Sequence, residues 1–207
     1  MTTLYDWLAK RTKRARHALC KRLVPKVFEE SLKVQQCAGG VPRPMTQFLR
    51  DYFGYKSLIG CEIGVAKAYN AKNLCELLNV KTLFLIDPYE PYPQEHKLSH
   101  HKGQFTEAQQ NLEAFQNVVE WLLCYSTEAI QWLPNKLDFV YVDGNHQYQH
   151  VKQDLRLYFE KVRHGGVIGG HDFCGNWTGV VKAVVEFADE KELDLHGAEH
   201  DFWFVKP

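Results

Sequence analysis

The stretch Gly60-Cys61-Glu62-Ile63-Gly64-Val65-Ala66-Lys67-Ala68 decides how the rest of the chain is read. An apolar run over 58–63 leads into it, and a helical pattern over 67–78 follows. Small residues at such a strand-to-helix junction let the backbone come close to a ligand before the helix begins. Asp87 ends the next apolar run, twenty-three residues beyond Gly64. That is close to the spacing of roughly 20 at which an acid after a glycine turn reaches ribose hydroxyls.

Outward from this turn the chain alternates short apolar runs with longer helical stretches, the signature of a parallel sheet with crossover helices. Strands are predicted over 58–63, 82–86, 118–124, 139–142 and 166–169, with helices over 67–78, 106–115, 128–133 and 150–162. In the last of these, Val151, Leu155, Tyr158 and Val162 share one face, which marks its buried side. A further helix over 178–190 precedes two short strands, 193–196 and 202–205, whose connection over 197–201 suits an antiparallel hairpin. The expected class is therefore α/β, a doubly wound Rossmann-like sheet.

The 207 residues suffice for one domain with a full core, assigned to 41–207, behind a helical segment over 1–40. That leader carries eight Lys or Arg and no acid between Lys10 and Lys26, with Leu4, Leu8, Ala15, Leu19 and Leu23 forming a rough helical stripe. It reads as a basic amphipathic helix that packs on the domain or on a second subunit of a homodimer, or that associates with an anionic membrane surface. Gly39-Gly40 and the prolines of Val41-Pro42-Arg43-Pro44 break any helix and mark the entry to the main domain.

A 45% hydrophobic content argues against disorder. Balanced charge, 25 basic against 25 acidic residues, offers no field that would make nucleic acid an obligatory partner. Cys20, Cys37, Cys61, Cys75, Cys124 and Cys174 show no CxxC and no paired spacing, which fits a reduced, cytoplasmic chain. No run approaches the roughly 20 apolar residues of a membrane span.

The residues of the turn also bear on the ligand. A GxGxxG would make room for the pyrophosphate of a dinucleotide, but Cys61 and Ala68 interrupt that pattern. Glu62 would repel a phosphate and attract a sulfonium cofactor bearing an ammonium group. S-adenosylmethionine is favoured on this ground over a nicotinamide nucleotide, the cofactor of the alternative oxidoreductase reading.

At this point the chain resembles a known family. Glu62-Ile63-Gly64-Val65, Leu85-Ile86-Asp87-Pro88, Val142-Asp143-Gly144-Asn145-His146-Gln147-Tyr148 and Gly165-Gly166-Val167-Ile168-Gly169-Gly170-His171-Asp172-Phe173 are similar, in order and spacing, to the class I methyltransferases grouped as methyltransferase family 24. The similarity runs from about Ser57 to Val205. It implies a seven-stranded sheet with an antiparallel last strand, Glu62 and Gly64 at the methionine part of S-adenosylmethionine, Asp87 on its ribose and Ser126 near its adenine, with Asp143 closing the cofactor site. Ala68 departs from the pattern where many members carry a second glycine.

Asp143, His146 and Asp172 should converge at the strand C-termini, where substrates of such sheets bind. Methyl transfer to oxygen needs a proton removed from a poorly acidic hydroxyl, by a neutral histidine or with a cation that lowers the hydroxyl pKa. Two carboxylates suit magnesium. Some sugar and macrolide-sugar O-methyltransferases are similar in these motifs, and the resemblance implies Asp143 and Asp172 as metal ligands and His146 as general base. The competing role for Asp143 is to cap the helix that follows it. His171 reads either as a satisfied histidine beside the site or as a further ligand. The segment 89–103, with His96, His100 and His101, reads as a loop over the site, where Tyr89, Tyr92 and Trp177 would stack on an acceptor. The expected reaction is methylation of a hydroxyl on a small acceptor, a sugar or glycoconjugate precursor; a non-catalytic protein that binds an adenosyl ligand is the third alternative.

Overall fold

A computed structural model describes residues 42–90 and 103–207 of the chain. The basic leader over 1–40, Tyr92 and the three histidines of the expected loop lie outside the described residues. No described helix is long and apolar enough to cross a membrane.

The expected alternation is present. Strands β1 (Leu58–Ile63), β2 (Val80–Ile86), β3 (Val119–Leu122), β4 (Leu137–Val142) and β5 (Val162–Gly170) run parallel, and β6 (His196–Ala198) and β7 (Asp201–Val205) complete a sheet of order β3-β2-β1-β4-β5-β7-β6. β7 is antiparallel to both neighbours, as the resemblance implied. The strand order reverses between β1 and β4, so the crevice for a ligand opens at their C-terminal ends.

Helices α1 (Pro44–Phe53), α2 (Tyr69–Leu77) and α3 (Gln104–Asn111) cover one face of the sheet, and α4 (Ser126–Ala129), α5 (Tyr148–Lys161) and α6 (Thr178–Lys191) the other. Strand alternation builds the two cores. Phe139 and Tyr141 of β4 pack with Met45, Leu49, Leu74 and Leu83, whereas Val140 and Val142 pack with Val151, Leu155, Val184 and Phe187.

Three departures from the expected elements have physical causes. Prolines were expected to end any helix before the domain, yet Pro44 opens α1, because its fixed φ and missing N–H suit the first turn. The strand expected over 193–196 lies later, at β6; Leu193 and Leu195 are buried in the core rather than paired in the sheet. The hairpin connection is accordingly only Glu199-His200, with Glu199 at φ +52°. The helices expected over 106–115 and 128–133 each shorten and finish as 3-10 turns, at Glu113–Phe115 and Ile130–Trp132.

Helix α1 has no acid in its first turn and no side-chain cap from Arg43. Its cap comes from the far end of the chain: Asp201 Oδ2 accepts the Met45 N–H at 2.9 Å, while Asp201 Oδ1 accepts the Tyr141 hydroxyl at 2.8 Å. Asp201 is 1% exposed, so without it the Met45 N–H and the Tyr141 O–H would each lose their acceptor in the interior. Asp201→Ala is expected to destabilise the protein by about 2 to 4 kcal/mol in urea unfolding at neutral pH, mostly through those two orphaned donors. A loss below about 0.5 kcal/mol would show that the carboxylate does not secure α1.

Candidate functional site

Three strand ends form the floor of the crevice. Gly64 follows β1 at φ +81°, and a Cβ there would lie 2.1 Å from the Asp143 carbonyl oxygen at the end of β4. Only glycine allows the two strand ends this close. The approach is clamped by Asp143 N–H donating to the Ile63 carbonyl at 2.7 Å and Gly64 N–H to the Ile86 carbonyl at 2.8 Å. Ala66 and Ala68 continue the turn at φ +48° and +60°, the left-handed region that a second glycine would occupy without strain. The Ala68 side chain is fully buried, so its methyl group is accommodated in the core.

Asp87 holds this turn in place. Its Oδ2 accepts the N–H groups of Val65 and Ala66 at 2.9 and 3.0 Å, and its Oδ1 accepts that of Tyr89 at 2.8 Å. A carboxylate offers about four lone-pair sites, so roughly one remains for a hydroxyl. Glu62 lies beneath the turn at 1% exposure, its Oε1 accepting from Asn70 Nδ2 at 2.9 Å and its Oε2 buried without a hydrogen-bond partner. Burial pushes its pKa up to about 8 against the opposing effects of Asn70 and Arg43. A cationic group at the turn would favour the ionised form.

Ser126 opens α4 and lines the cleft with Ile63, Gly64, Ile86, Asp87, Asp143 and His146. Its hydroxyl donates to Asp154 Oδ1 at 2.6 Å; burial raises the Asp154 pKa to about 7. The structure thus brings Gly64, Asp87, Ser126, Asp143 and His146 to one cleft, with Glu62 behind it.

At the reaction end, Asp143 does not cap α5, whose N-cap is Gln147 and lacks a side-chain cap. Its Oδ2 instead receives the Arg43 guanidinium at 2.6 Å, and its Oδ1 lies 3.9 Å from both His146 Nε2 and His171 Nδ1. Asp172 Oδ2 is 2.6 Å from His146 Nε2, a close ionic contact without the alignment of a hydrogen bond, and its Oδ1 is 3.2 Å from His171 Nδ1. Burial opposes charge on His146, but Asp143 and Asp172 outweigh it and hold the imidazole pKa up at about 9. Arg43, His146 and His171 hold the Asp143 carboxyl, and His146 and His171 that of Asp172, below the usual carboxylate range against the effect of burial. Asp143, His146 and Asp172 each offer a ligand atom, all within 4.8 Å of one another, so this set is suited to a divalent cation.

The aromatic residues are arranged differently from the expectation. Trp177 stacks on His146 at 4.2 Å between ring centroids, while Tyr89 packs against Phe105 and Trp121. Arg43 and Asp201 were missed in the sequence. Arg43 stood in the Pro42-Arg43-Pro44 run that reads only as a boundary, and no sequence spacing links Asp201 to a strand end some sixty residues earlier.

Comparison with known proteins places the chain in a family. Residues 59–173 match the family described as a methyltransferase domain, methyltransferase family 24, and the chain belongs to that family. The fold is that of the class I S-adenosylmethionine-dependent methyltransferases. An uncharacterized protein of Acanthamoeba polyphaga mimivirus is 31% identical over 130 residues, 60% of this chain and 56% of that protein. The chain thus spans only about half the length of the curated relative it matches. Among solved structures, an O-methyltransferase from Bacillus cereus in complex with SAH has a TM-score of 0.57 at 16% identity, covering 91% of this chain and 97% of that one. An rRNA methylase from Streptococcus thermophilus gives 0.55 at 14%, covering 81% and 98%. A precorrin 8w decarboxylase from Methanobacterium thermoautotrophicum gives 0.58 at 13%, covering 81% and 91%. One fold thus carries quite different chemistries, so the acceptor is a matter for the site.

The raised pKa of Glu62 has a consequence for stability. Its folded value of about 8 exceeds the unfolded value of about 4.3, so its favourable contribution is complete below the unfolded pKa and is lost as pH rises through about 8. Asp154 and Asp201, raised to about 7 and about 6, act in the same direction. The ligand-free protein is expected to lose thermal stability between pH 5 and 8, with a shallower loss in Glu62→Gln. An unchanged slope in that variant, followed by calorimetry, would exclude Glu62 as a source of the effect.

Proposed function

We propose that this protein transfers a methyl group from S-adenosylmethionine to a hydroxyl of a small acceptor, a sugar or glycoconjugate precursor. The observation that carries this reading is the meeting, in one cleft, of the Gly64 turn, the Asp87 carboxylate, Asp143 and His146, with Asp172 against His146 from behind. Glu62, with one carboxylate oxygen unpartnered, suits the ammonium of the methionine part. Gly64 gives the backbone its close approach, Asp87 retains one acceptor site for a ribose hydroxyl, and Ser126 and Asp143 bound the remainder. The bound cofactor supplies an electrophilic methyl group on a sulfonium.

In the transfer, the acceptor oxygen forms a bond to the methyl carbon as the carbon–sulfur bond breaks, and S-adenosylhomocysteine leaves neutral. The proton of the acceptor hydroxyl goes to the neutral form of His146, a minority species at neutral pH because Asp143 and Asp172 favour the imidazolium. Asp172 and the Trp177 ring fix the imidazole from two sides, so its orientation is set before the acceptor arrives. If magnesium takes part, Asp143 and Asp172 are the residues that would hold it, and it would lower the hydroxyl pKa. Arg43 already neutralises Asp143, which favours the route through His146.

Ligand-induced stabilisation separates this reading from its rivals. S-adenosylhomocysteine at about one hundred times its Kd should stabilise the protein by about 2.7 kcal/mol in a thermal unfolding assay, whereas NAD should have no effect. Stabilisation by NAD alone would establish the oxidoreductase alternative instead. Once an acceptor is in hand, His146→Ala should lower turnover at least about ten-fold while cofactor affinity stays within about two-fold, because the side chain acts on the acceptor. Unchanged turnover would remove His146 from the mechanism.

A further inference from the structure

The β6–β7 hairpin brings a second histidine against the end of β5. His171 and Asp172 follow β5, and His200 sits in the two-residue hairpin turn. The turn is tied to the strand end by the Phe173 N–H, which donates to the His200 carbonyl at 2.9 Å. His171, Asp172 and His200 each offer a ligand atom, and the three lie within 4.8 Å of one another. This group is distinct from Asp143, His146 and Asp172, although the two share the Asp172 carboxyl.

We propose that His171, Asp172 and His200 form a binding site for a divalent transition metal of the zinc class. The donor set is two imidazoles and one carboxylate, which suits zinc and its neighbours, whereas magnesium and calcium prefer oxygen ligands throughout. Metal–ligand distances of about 2.0 to 2.2 Å place neighbouring ligand atoms roughly 3 to 3.5 Å apart. His171 Nδ1 and Asp172 Oδ1 are already 3.2 Å apart. His200 Nε2 is buried and has no hydrogen-bond partner, as an unused ligand atom would be.

The surroundings add two further features of a metal site. A histidine that binds a metal through one ring nitrogen commonly presents the other to a carboxylate. His171 Nε2 faces Asp201 Oδ1 at 3.9 Å, and Asp201 is itself fixed by Tyr141 and the α1 backbone. Asp172 is held at φ +60°, an unfavourable backbone conformation for a residue with a side chain, and such strain collects where a side chain must be aimed. Three protein ligands would leave at least one position at the ion for water or another ligand.

The site does not depend on methyl transfer, so it is tested without a turnover assay. Full-length protein stripped of metal would be titrated with Co2+ as a spectroscopic probe and with Zn2+ by calorimetry, with Mg2+ as competitor. One equivalent should bind, with the visible absorption of imidazole-ligated cobalt, and a hundred-fold excess of Mg2+ should not displace it. His200→Ala, in the two-residue hairpin turn, should weaken Co2+ and Zn2+ binding at least about a hundred-fold while thermal stability and S-adenosylhomocysteine binding are retained. Absence of Co2+ and Zn2+ binding would overturn the assignment. So would binding that survives His200→Ala and is lost in His146→Ala, which would place the ion at the other cluster. Failure of the wild type to bind S-adenosylhomocysteine would count against the proposed methyl transfer and leave the metal result standing.

Discussion

The approach of Gly64 to the Asp143 carbonyl, where the ends of β1 and β4 meet, is the contact on which the rest of the site depends. A methyl group there would sit 2.1 Å from the carbonyl oxygen, so any other residue would part the two strands at the point where their order reverses. The same contact sets the direction of the turn that follows. With Gly64 at φ +81°, the N–H groups of Val65 and Ala66 point at Asp87, and one carboxylate then ties the ends of β1 and β2 together. The crevice is therefore shaped by backbone geometry before any ligand enters it.

Around that crevice lies an unusual density of buried charge. Arg43, Asp143, His146, His171, Asp172 and Asp201 form a continuous set of opposed charges, in which each acid has a cation or a hydrogen-bond donor facing it. Removing such groups from water is costly, and partners on several sides are what make the arrangement stable. The energetic consequence is local. Asp143 and Asp172 are held ionised by their cations, whereas burial drives Glu62, Asp154 and Asp201 upward against the weaker opposing effects of Asn70, Ser126 and His171. Ready ionisation is thus concentrated at the end of the cleft assigned to the acceptor.

The antiparallel hairpin does more than close the sheet. It carries Asp201 to the N-terminus of α1 and to Tyr141, and it carries His200 to the end of β5. Helix α1 in turn follows Arg43, which reaches Asp143. The two ends of the described domain therefore meet at the site, where the last strand supports the first helix and the residue before that helix neutralises the central acid.

The sequence by itself determined the sheet and its cofactor end. Period-two and helical patterning are local, and they located all seven strands to within a few residues. Gly64 and Asp87 were legible because a tight turn after a strand and an acid after the next are constraints of short range, written in consecutive residues. Asp143, His146 and Asp172 were legible because each follows a strand, and parallel strands bring their C-terminal ends together. What only the tertiary structure decided was how those side chains are partnered. Arg43 on Asp143, Asp201 capping α1 and His200 beside His171 join residues up to 156 positions apart, and no local pattern encodes such contacts. The exact places of β6 and α1 were likewise tertiary matters: Leu193 and Leu195 went to the core rather than the sheet, and a proline that ends a helix in mid-chain begins one when its first turn is capped from elsewhere.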